Sequence, residues 1–346
     1  MSLLSPHPAP ALVAEALRIG YAMRRGAPRQ VAGPLHLALR TGELVCLLGP
    51  NGAGKSTLLR TLAGVQPPLG GHLTVGGVPL ASLGPEARAR QLSVVLTERP
   101  DTGPLTVLEL VRLGRHPHTG WLGGLAAHDH AQVQAALAAT GTTAFAHRPV
   151  SELSDGERQK VMLARTLAQD TPLILLDEPT AHLDLPNRVA LLRLLHELAR
   201  TLGKAILLST HELDLALQAA DRVWLLPATG ELLAGPPEDL VLSGAFAAAF
   251  QREGLAFDVA TGTFELHAPT GPAVQLLGTG PAAFWTRRAL LRAGFVPTAG
   301  PAAGCITAPA EPGAGWLSQL PGRPAQAHPT IDALLQALRQ ALNHSN

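Results

Sequence analysis

The hydrophobic pattern opens with alternating leucines and continues with unbroken apolar runs. Leucine occupies every second position from residue 35 to residue 39, and this period of two predicts a half-buried strand. Residues 44–48 are apolar without interruption and stop at Gly49, which is typical of a strand buried on both faces. A helical stretch at residues 56–63 follows and ends at Gly64. The pattern therefore predicts a strand, a glycine-containing loop and a helix in succession.

Helices and apolar strands alternate further along the chain. We predict helices at residues 157–169 and 187–202, and strands at residues 173–176 and 205–208. Strands that alternate with helices of this length indicate a mainly parallel sheet in an α/β fold. Residues 100–150 have a mainly helical pattern, and residues 223–234 predict a hairpin that turns at Gly230.

Composition sets limits on the class of protein. The chain of 346 residues is 46% hydrophobic, so it can bury a full core. Its formal net charge is +1, and the charges are mixed along the sequence without a basic stripe. We therefore expect no nucleic acid partner. Two cysteines are too few for a disulfide framework and fit a reducing compartment. The sequence has neither an apolar run long enough to span a bilayer nor the pattern of a signal peptide, so another chain would supply any membrane spans.

A change in composition predicts a second domain. Beyond about residue 254 lysine is absent, whereas proline and glycine are frequent. We place the boundary at about residue 255 and interpret residues 256–346 as a small α+β unit. Its predicted strands lie near residues 257, 263–266, 274–277 and 305–308, and its helices at residues 282–293 and 331–342. Residues 1–10 contain three prolines and are predicted to form a flexible tail.

The loop after the strand at residues 44–48 has the pattern of a phosphate-binding loop: glycine, four residues, then glycine, lysine and serine. Glycines allow the backbone N–H groups to surround a phosphate, and the following helix N-terminus adds partial positive charge. Lys55 is expected to reach the β- and γ-phosphates of ATP, and the Ser56 hydroxyl to bind Mg²⁺. The predicted ATP-binding residues of this loop are Gly49, Pro50, Asn51, Gly52, Ala53, Gly54, Lys55, Ser56 and Thr57.

Two carboxylates follow the apolar strand at residues 173–176. Asp177 would lie at the carboxyl end of that strand, where open α/β sheets bind their ligands. A carboxylate at this edge can hold Mg²⁺, and the neighbouring Glu178 suits a general base that polarises water. An isolated Asp-Glu pair would be a solvated turn, but the loop upstream favours the catalytic interpretation.

Further motifs resemble those of the ABC ATPase family. The run LSDGE is similar to the family signature LSGGQ, PTAHLD at residues 179–184 resembles the D-loop, and Ser-Thr-His at residues 209–211 resembles the switch region. The resemblance covers roughly residues 11–255 and implies the P-loop NTPase ABC fold. This fold has a mainly parallel sheet core, an antiparallel β subdomain and a helical subdomain, here at about residues 100–150. The signature residues are Leu153, Ser154, Asp155, Gly156 and Glu157.

The resemblance also implies roles for residues and partners. Tyr21 would stack on adenine, His211 would contact the γ-phosphate, and Asp184 would belong to the D-loop. In this family the signature contacts ATP held by a second copy of the subunit, so a dimer of two such chains is expected. ATP and Mg²⁺ are the expected cofactors. A transmembrane permease and, indirectly, a secreted substrate-binding protein are the other expected partners, with the chain on the cytoplasmic face of the membrane. Taken alone, Ser154 would be a helix N-cap and Tyr21 a core or surface residue.

Shorter matches resemble one branch of the family. The run GRHP at residues 114–117 and the run DLPNR at residues 184–188 are similar to importers of iron-siderophores, haemin or cobalamin. A subunit for another cargo remains the alternative, as does a soluble, non-transport ABC ATPase. The latter class usually has a coiled-coil insertion or two ABC modules, and the sequence has neither.

One position departs from the pattern of this branch. Glu98 stands where a glutamine is usual, after the strand that ends near residue 96. In this position Glu98 would lie near Mg²⁺ as an oxygen ligand, which should tighten metal binding and increase repulsion with the γ-phosphate. The alternative is a shifted loop in which Glu98 is solvated.

Overall fold

A computed structural model describes residues 10–23, 26–96, 103–119, 124–181, 183–251, 255–259, 261–265, 271–311 and 313–342. Within these ranges the chain divides into two compact units, residues 1–250 and 251–346. The division falls slightly before residue 255, where the composition changes. The first unit ends with a short helix in which the rings of Phe246 and Phe250 lie 5.2 Å apart.

The first unit contains two sheets and the helices that cover them. Its strands are β1 (Pro10–Tyr21), β2 (Arg29–Arg40), β3 (Leu44–Leu48), β4 (Gly70–Val75), β5 (Val78–Pro79), β6 (Leu92–Val95), β7 (Leu173–Asp177), β8 (Ala205–Ser209), β9 (Arg222–Leu225) and β10 (Leu233–Gly235). Its helices are α1 (Lys55–Leu62), α2 (Pro85–Gln91), α3 (Val107–Arg112), α4 (Ala127–Ala139), α5 (Asp155–Ala168), α6 (Leu185–Leu202), α7 (Leu213–Ala219), α8 (Pro237–Leu242) and α9 (Ala245–Phe250).

The larger sheet has the order β10-β9-β3-β8-β7-β6, and only its β9–β10 edge is antiparallel. Strands β3, β7 and β8 are buried along their whole length, which explains their unbroken apolar runs. The smaller sheet, β2-β1-β4-β5, is antiparallel. One apolar cluster joins side chains of both sheets with Leu58, Leu59 and Leu62 of α1. The predicted parallel core and antiparallel subdomain are therefore confirmed.

Helices α3 and α4 lie within the helical subdomain predicted at about residues 100–150 and pack against α5, and a buried ion pair supports this packing. The Arg115 guanidinium lies 2.9 Å from Asp129 through Nε and donates from Nη1 to the Ala168 carbonyl at 2.8 Å. Asp129 also accepts a hydrogen bond from the N–H of Ala126 at the start of α4, and these donors hold its pKa below the ordinary value. A single arginine thus joins the start of α4 to the end of α5.

One prediction at the end of an element needs correction. Pro10 was placed in the flexible tail, but it begins β1 and pairs with Arg40, while residues 1–9 lie outside the described ranges. A proline suits the first position of a strand because its missing N–H is not needed in the ladder there. Asp177 is the last residue of β7 and pairs with Ser209, so it has the predicted position at the carboxyl end of the strand.

The second unit is a two-layer α/β domain. Its elements are β11 (Ala256–Asp258), β12 (Thr263–Glu265), β13 (Ala273–Leu277), α10 (Gly280–Arg292), β14 (Val296–Thr298), β15 (Gly304–Thr307), β16 (Trp316–Gln319), β17 (Gln326–His328) and α11 (Ile331–Leu342). A sheet of order β14-β13-β15-β16-β17 packs its apolar side chains against both helices, around Leu290, Ile306 and Leu334. The short strands β14, β16 and β17 were not predicted from the sequence. In neither unit do the described residues include a helix with the length and hydropathy of a bilayer span.

Candidate nucleotide-binding site

The loop between β3 and α1 requires glycine at positions where the chain is crowded. A Cβ atom on Gly49 would lie 2.1 Å from the Leu226 carbonyl oxygen. Gly54 has a φ of +105°, and a Cβ atom there would lie 2.4 Å from Val31 Cγ1. Glycine is thus required in this loop for two separate reasons: the backbone is left-handed, and neighbouring chain segments leave no room for a side chain.

Lys55 points back into the loop. Its Nζ donates to the Gly49 carbonyl at 2.8 Å and to the Pro50 carbonyl at 3.3 Å. Burial lowers the pKa of the Lys55 ammonium, while the carboxylates of Glu178 and Asp177 act in the opposite direction. The loop therefore holds the Lys55 ammonium against the carbonyl oxygens of Gly49 and Pro50, and a cation in this position is suited to binding a polyanion.

Ser56 and Asp177 bring two oxygen donors together at the start of α1. The Ser56 hydroxyl lies 3.4 Å from Asp177 Oδ1, and Ser209 Oγ donates to the same carboxylate oxygen at 2.7 Å. Mg²⁺ prefers hard oxygen ligands and is commonly held by one or two protein oxygens together with phosphates and water. This hydroxyl–carboxylate pair fits such an ion beside the phosphate loop.

Glu178 and His211 meet at the edge of the loop. His211 Nε2 lies 2.7 Å from Glu178 Oε1, and the Glu178 N–H donates to Ser209 Oγ at 2.9 Å. Glu178 has a φ of +51°, a strained value for a residue with a side chain. Strained backbone of this kind is often found at functional sites, where the surrounding structure holds a side chain in place. A carboxylate and an imidazole in contact provide a proton acceptor and a group that orients it.

Lys55, Ser56, Glu178 and His211 line one cavity of about 450 Å³. Tyr21 ends β1 at its rim, 45% exposed, and its hydroxyl lies 3.0 Å from Thr57 Oγ1. The cavity wall also includes Arg29 and Val31, which the sequence analysis missed. Arg29 is the β-sheet partner of Tyr21. A prediction that β1 and β2 form a hairpin would therefore have placed Arg29 beside Tyr21 at the site. The lining residues are Tyr21, Arg29, Val31, Asn51, Gly52, Gly54, Lys55, Ser56, Thr57, Glu178 and His211.

The signature residues lie elsewhere, since none of the described residues that line this cavity belongs to residues 153–157. Ser154 is the N-cap of α5, and its hydroxyl accepts a hydrogen bond from the Glu157 N–H at 3.3 Å. The Glu157 carboxylate accepts in return from the Ser154 N–H, and this hydrogen bond lowers the pKa of Glu157. Ser154 and Asp155 are exposed, whereas Leu153 is buried and anchors the turn.

Two further predicted residues have different outcomes. Asp184 is the N-cap of α6, where its Oδ1 accepts a hydrogen bond from the Asn187 N–H at 3.1 Å. Glu98 lies outside the described residues, so its relation to the Mg²⁺ site stays a prediction.

Comparisons with known proteins place both units. A family model described as "ABC transporter" matches residues 33–181, and one described as "Iron ABC transporter C-terminal domain" matches residues 270–339. The second match covers most of the smaller unit, which lies beyond the ABC resemblance at residues 11–255.

Curated relatives extend over more of the chain. A "Cobalamin import ATP-binding protein BtuD" of Halobacterium salinarum is 37% identical over 281 residues, covering 79% of this chain and 70% of the relative. A "Hemin import ATP-binding protein HmuV" of Streptomyces coelicolor is 44% identical over 217 residues, covering 62% of this chain and 76% of the relative. A "Petrobactin import ATP-binding protein FpuD" of Bacillus anthracis is 41% identical over 207 residues, covering 60% and 76%.

Solved structures agree with this assignment. An inward-facing putative metal-chelate type ABC transporter is similar with a TM-score of 0.60 and 29% identity, covering 75% of this chain and 96% of the other. The ATP-binding cassette MJ0796, in a dimeric post-hydrolysis state bound to ADP and Pi, has a TM-score of 0.56 and 25% identity, covering 65% and 98%.

Proposed function

Because this chain belongs to the ATP-binding proteins of ABC transporters, we propose that it hydrolyses Mg-ATP to energise the import of a metal chelate or tetrapyrrole. The observation that carries the hydrolytic part is the cavity in which Lys55, Glu178 and His211 converge. The relatives named for cobalamin, haemin and petrobactin import support the choice of cargo class.

Each group at the site has a proposed role. The phosphate loop and Lys55 hold the triphosphate, and the Ser56 hydroxyl and Asp177 carboxylate would hold Mg²⁺. When bound, this ion neutralises charge on the phosphates and orients them for attack. Glu178 accepts the proton of the attacking water, while His211 orients Glu178 and reaches the γ-phosphate.

The working unit is proposed to be a dimer of two such chains. Ser154 caps the N-terminus of α5, which lies outside the chain's own cavity and carries the partial positive charge of a helix start beside Asp155 and Glu157. Two copies arranged head to tail would place this helix start over the partner's triphosphate, so that each ATP is held between the two chains. The dimeric arrangement of the similar cassette MJ0796 supports this proposal.

A groove between α2 and the helical subdomain is the proposed docking site for the membrane-spanning partner. It has a volume of about 360 Å³ and lies between the end of α2, the segment at residues 113–118 and α5. Its walls are mainly apolar, and Arg165 and Gln169 contribute polar groups. An amphipathic segment of a permease would fit such a groove. The chain would thereby act at the cytoplasmic face of the membrane. A secreted substrate-binding protein would deliver the cargo to the permease on the other side.

The cargo is tested by genetics and uptake. Deletion of the gene should abolish growth when a ferric siderophore, haemin or cobalamin is the only source of the corresponding nutrient, and labelled uptake should fall in parallel. Wild-type chain should restore uptake, whereas chain with Lys55→Ala should not. Uptake of all three cargoes at the parental rate would contradict the import function and favour another cargo or a non-transport ATPase.

A further inference from the structure

The first turn of α6 contacts the signature on one side. The Asn187 side-chain amide packs over Gly156, where a Cβ atom would lie 3.1 Å from both Asn187 Cγ and Nδ2. The Asn187 backbone N–H is held by the N-cap carboxylate of Asp184. Because that capping hydrogen bond anchors the turn, the amide has a defined position against the N-terminus of α5.

The next residue of the same turn contacts the switch region. Arg188 Nη1 donates to Glu212 Oε1 at 2.5 Å, and Arg188 Nε donates to the Leu183 carbonyl at 2.7 Å. Glu212 directly follows His211, whose imidazole contacts Glu178. Both members of the Arg188–Glu212 pair are about 30% exposed, so water screens the pair only in part.

Successive residues of a helix point about 100° apart, so Asn187 and Arg188 face two different neighbours from one rigid turn. On one side lies the switch that contacts the chain's own catalytic glutamate. On the other lies the signature that, in the proposed dimer, faces the second chain's ATP. Neither Asn187 nor Arg188 lines the nucleotide cavity.

We propose that Asn187 and Arg188 form the link that couples the two ATP sites of the dimer. This proposal rests on the proposed sandwich arrangement. A shift of the switch when nucleotide binds moves Glu212, the Arg188 ion pair carries the shift to the first turn of α6, and Asn187 transmits it to Gly156 and Ser154. Both are positioning residues, because they act through the switch and the signature without contacting nucleotide. Their loss should reduce the coupling between sites and spare the binding of ATP to a single chain.

The test uses the full-length chain and three measurements. ATP affinity is measured at protein concentrations where the chain is monomeric, and hydrolysis rate is measured against ATP concentration to obtain the Hill coefficient. ATP-induced dimerisation is measured in a Glu178→Gln background. Asn187→Ala and Arg188→Gln should leave monomer affinity within about twofold of the parent. They should move the Hill coefficient toward one and raise the ATP concentration needed for dimerisation at least about fivefold.

Arg193→Gln is the matched control, because Arg193 is an exposed arginine on the same helix. A double variant of Asn187 and Arg188 should be little worse than either single variant, since residues acting in series are not additive. Exchange of charges, Arg188→Glu with Glu212→Arg, should restore part of the cooperativity.

Three outcomes would overturn the inference. Variants that match Arg193→Gln in Hill coefficient would show that the turn carries no coupling. Additive losses in the double variant would show two independent structural roles. A parent chain that binds ATP but neither dimerises nor hydrolyses it cooperatively would contradict the sandwich itself, and the coupling role would fall with it.

Discussion

The His211 imidazole lies against the Glu178 carboxylate, with Nε2 2.7 Å from Oε1, beside the phosphate loop. The contact places the only imidazole among the described cavity-lining residues on the carboxylate that would activate water. Because the pair is preassembled, removal of the carboxylate should affect turnover far more than binding.

Glu178→Gln should therefore retain Mg-ATP binding and lose at least about 100-fold in turnover, because the amide cannot accept the proton of water. It should also accumulate a dimer in the presence of ATP. Phosphate release and equilibrium binding measure the two effects, and Glu197→Gln, an exposed glutamate of α6, is the control. Turnover close to the parental rate would remove Glu178 from the role of general base.

Arg29 adds a second cation to the wall of the nucleotide cavity, opposite Tyr21 in the β1–β2 pair. We expect Arg29→Gln to weaken ATP binding about 1.4- to 5-fold, since exposed charge pairs contribute roughly 0.2–1 kcal/mol. Arg29→Lys should preserve most of the affinity, and added salt should reduce the difference between variants. Arg18→Gln, an exposed arginine of β1, is the control. Equal affinities for Arg29→Gln and Arg18→Gln at low salt would exclude a contact with nucleotide.

The two cysteines should differ in reactivity. Burial raises the pKa of the Cys46 thiol to about 12, so this group stays protonated at neutral and mildly alkaline pH. Cys305 is only partly buried. A thiol reagent at pH 8 should modify Cys305 in the native chain and Cys46 only after unfolding, as mass spectrometry of the labelled peptides would show. Rapid labelling of native Cys46 would mean that β3 opens readily.

Truncation after Phe250 should leave a folded ATP-binding protein. Every described residue that lines the nucleotide cavity belongs to the first unit, and the second unit has its own apolar core around Leu290 and Ile306. ATP affinity of the truncated chain should stay within about twofold of the full chain. Insoluble truncated protein, obtained under conditions where the full chain is soluble, would show that the second unit completes the first.

The sequence by itself determined the features that are contiguous along the chain. A phosphate loop recognises its ligand with successive backbone N–H groups, so its residues must be neighbours in sequence. The same holds for the N-cap Ser154 with Glu157, and for the buried apolar runs of β3, β7 and β8. These local patterns were sufficient to predict the parallel core, the motif positions and the family.

Tertiary structure alone decided which distant residues meet. Arg29 reaches the cavity because β1 pairs with β2, and Asn187 covers Gly156 because the first turn of α6 lies against the first turn of α5. The short strands β14, β16 and β17 lack a local signal, and they form because neighbouring strands supply their hydrogen bonds. Such pairings depend on register and packing across the fold, and a pattern read along one segment carries no information about them.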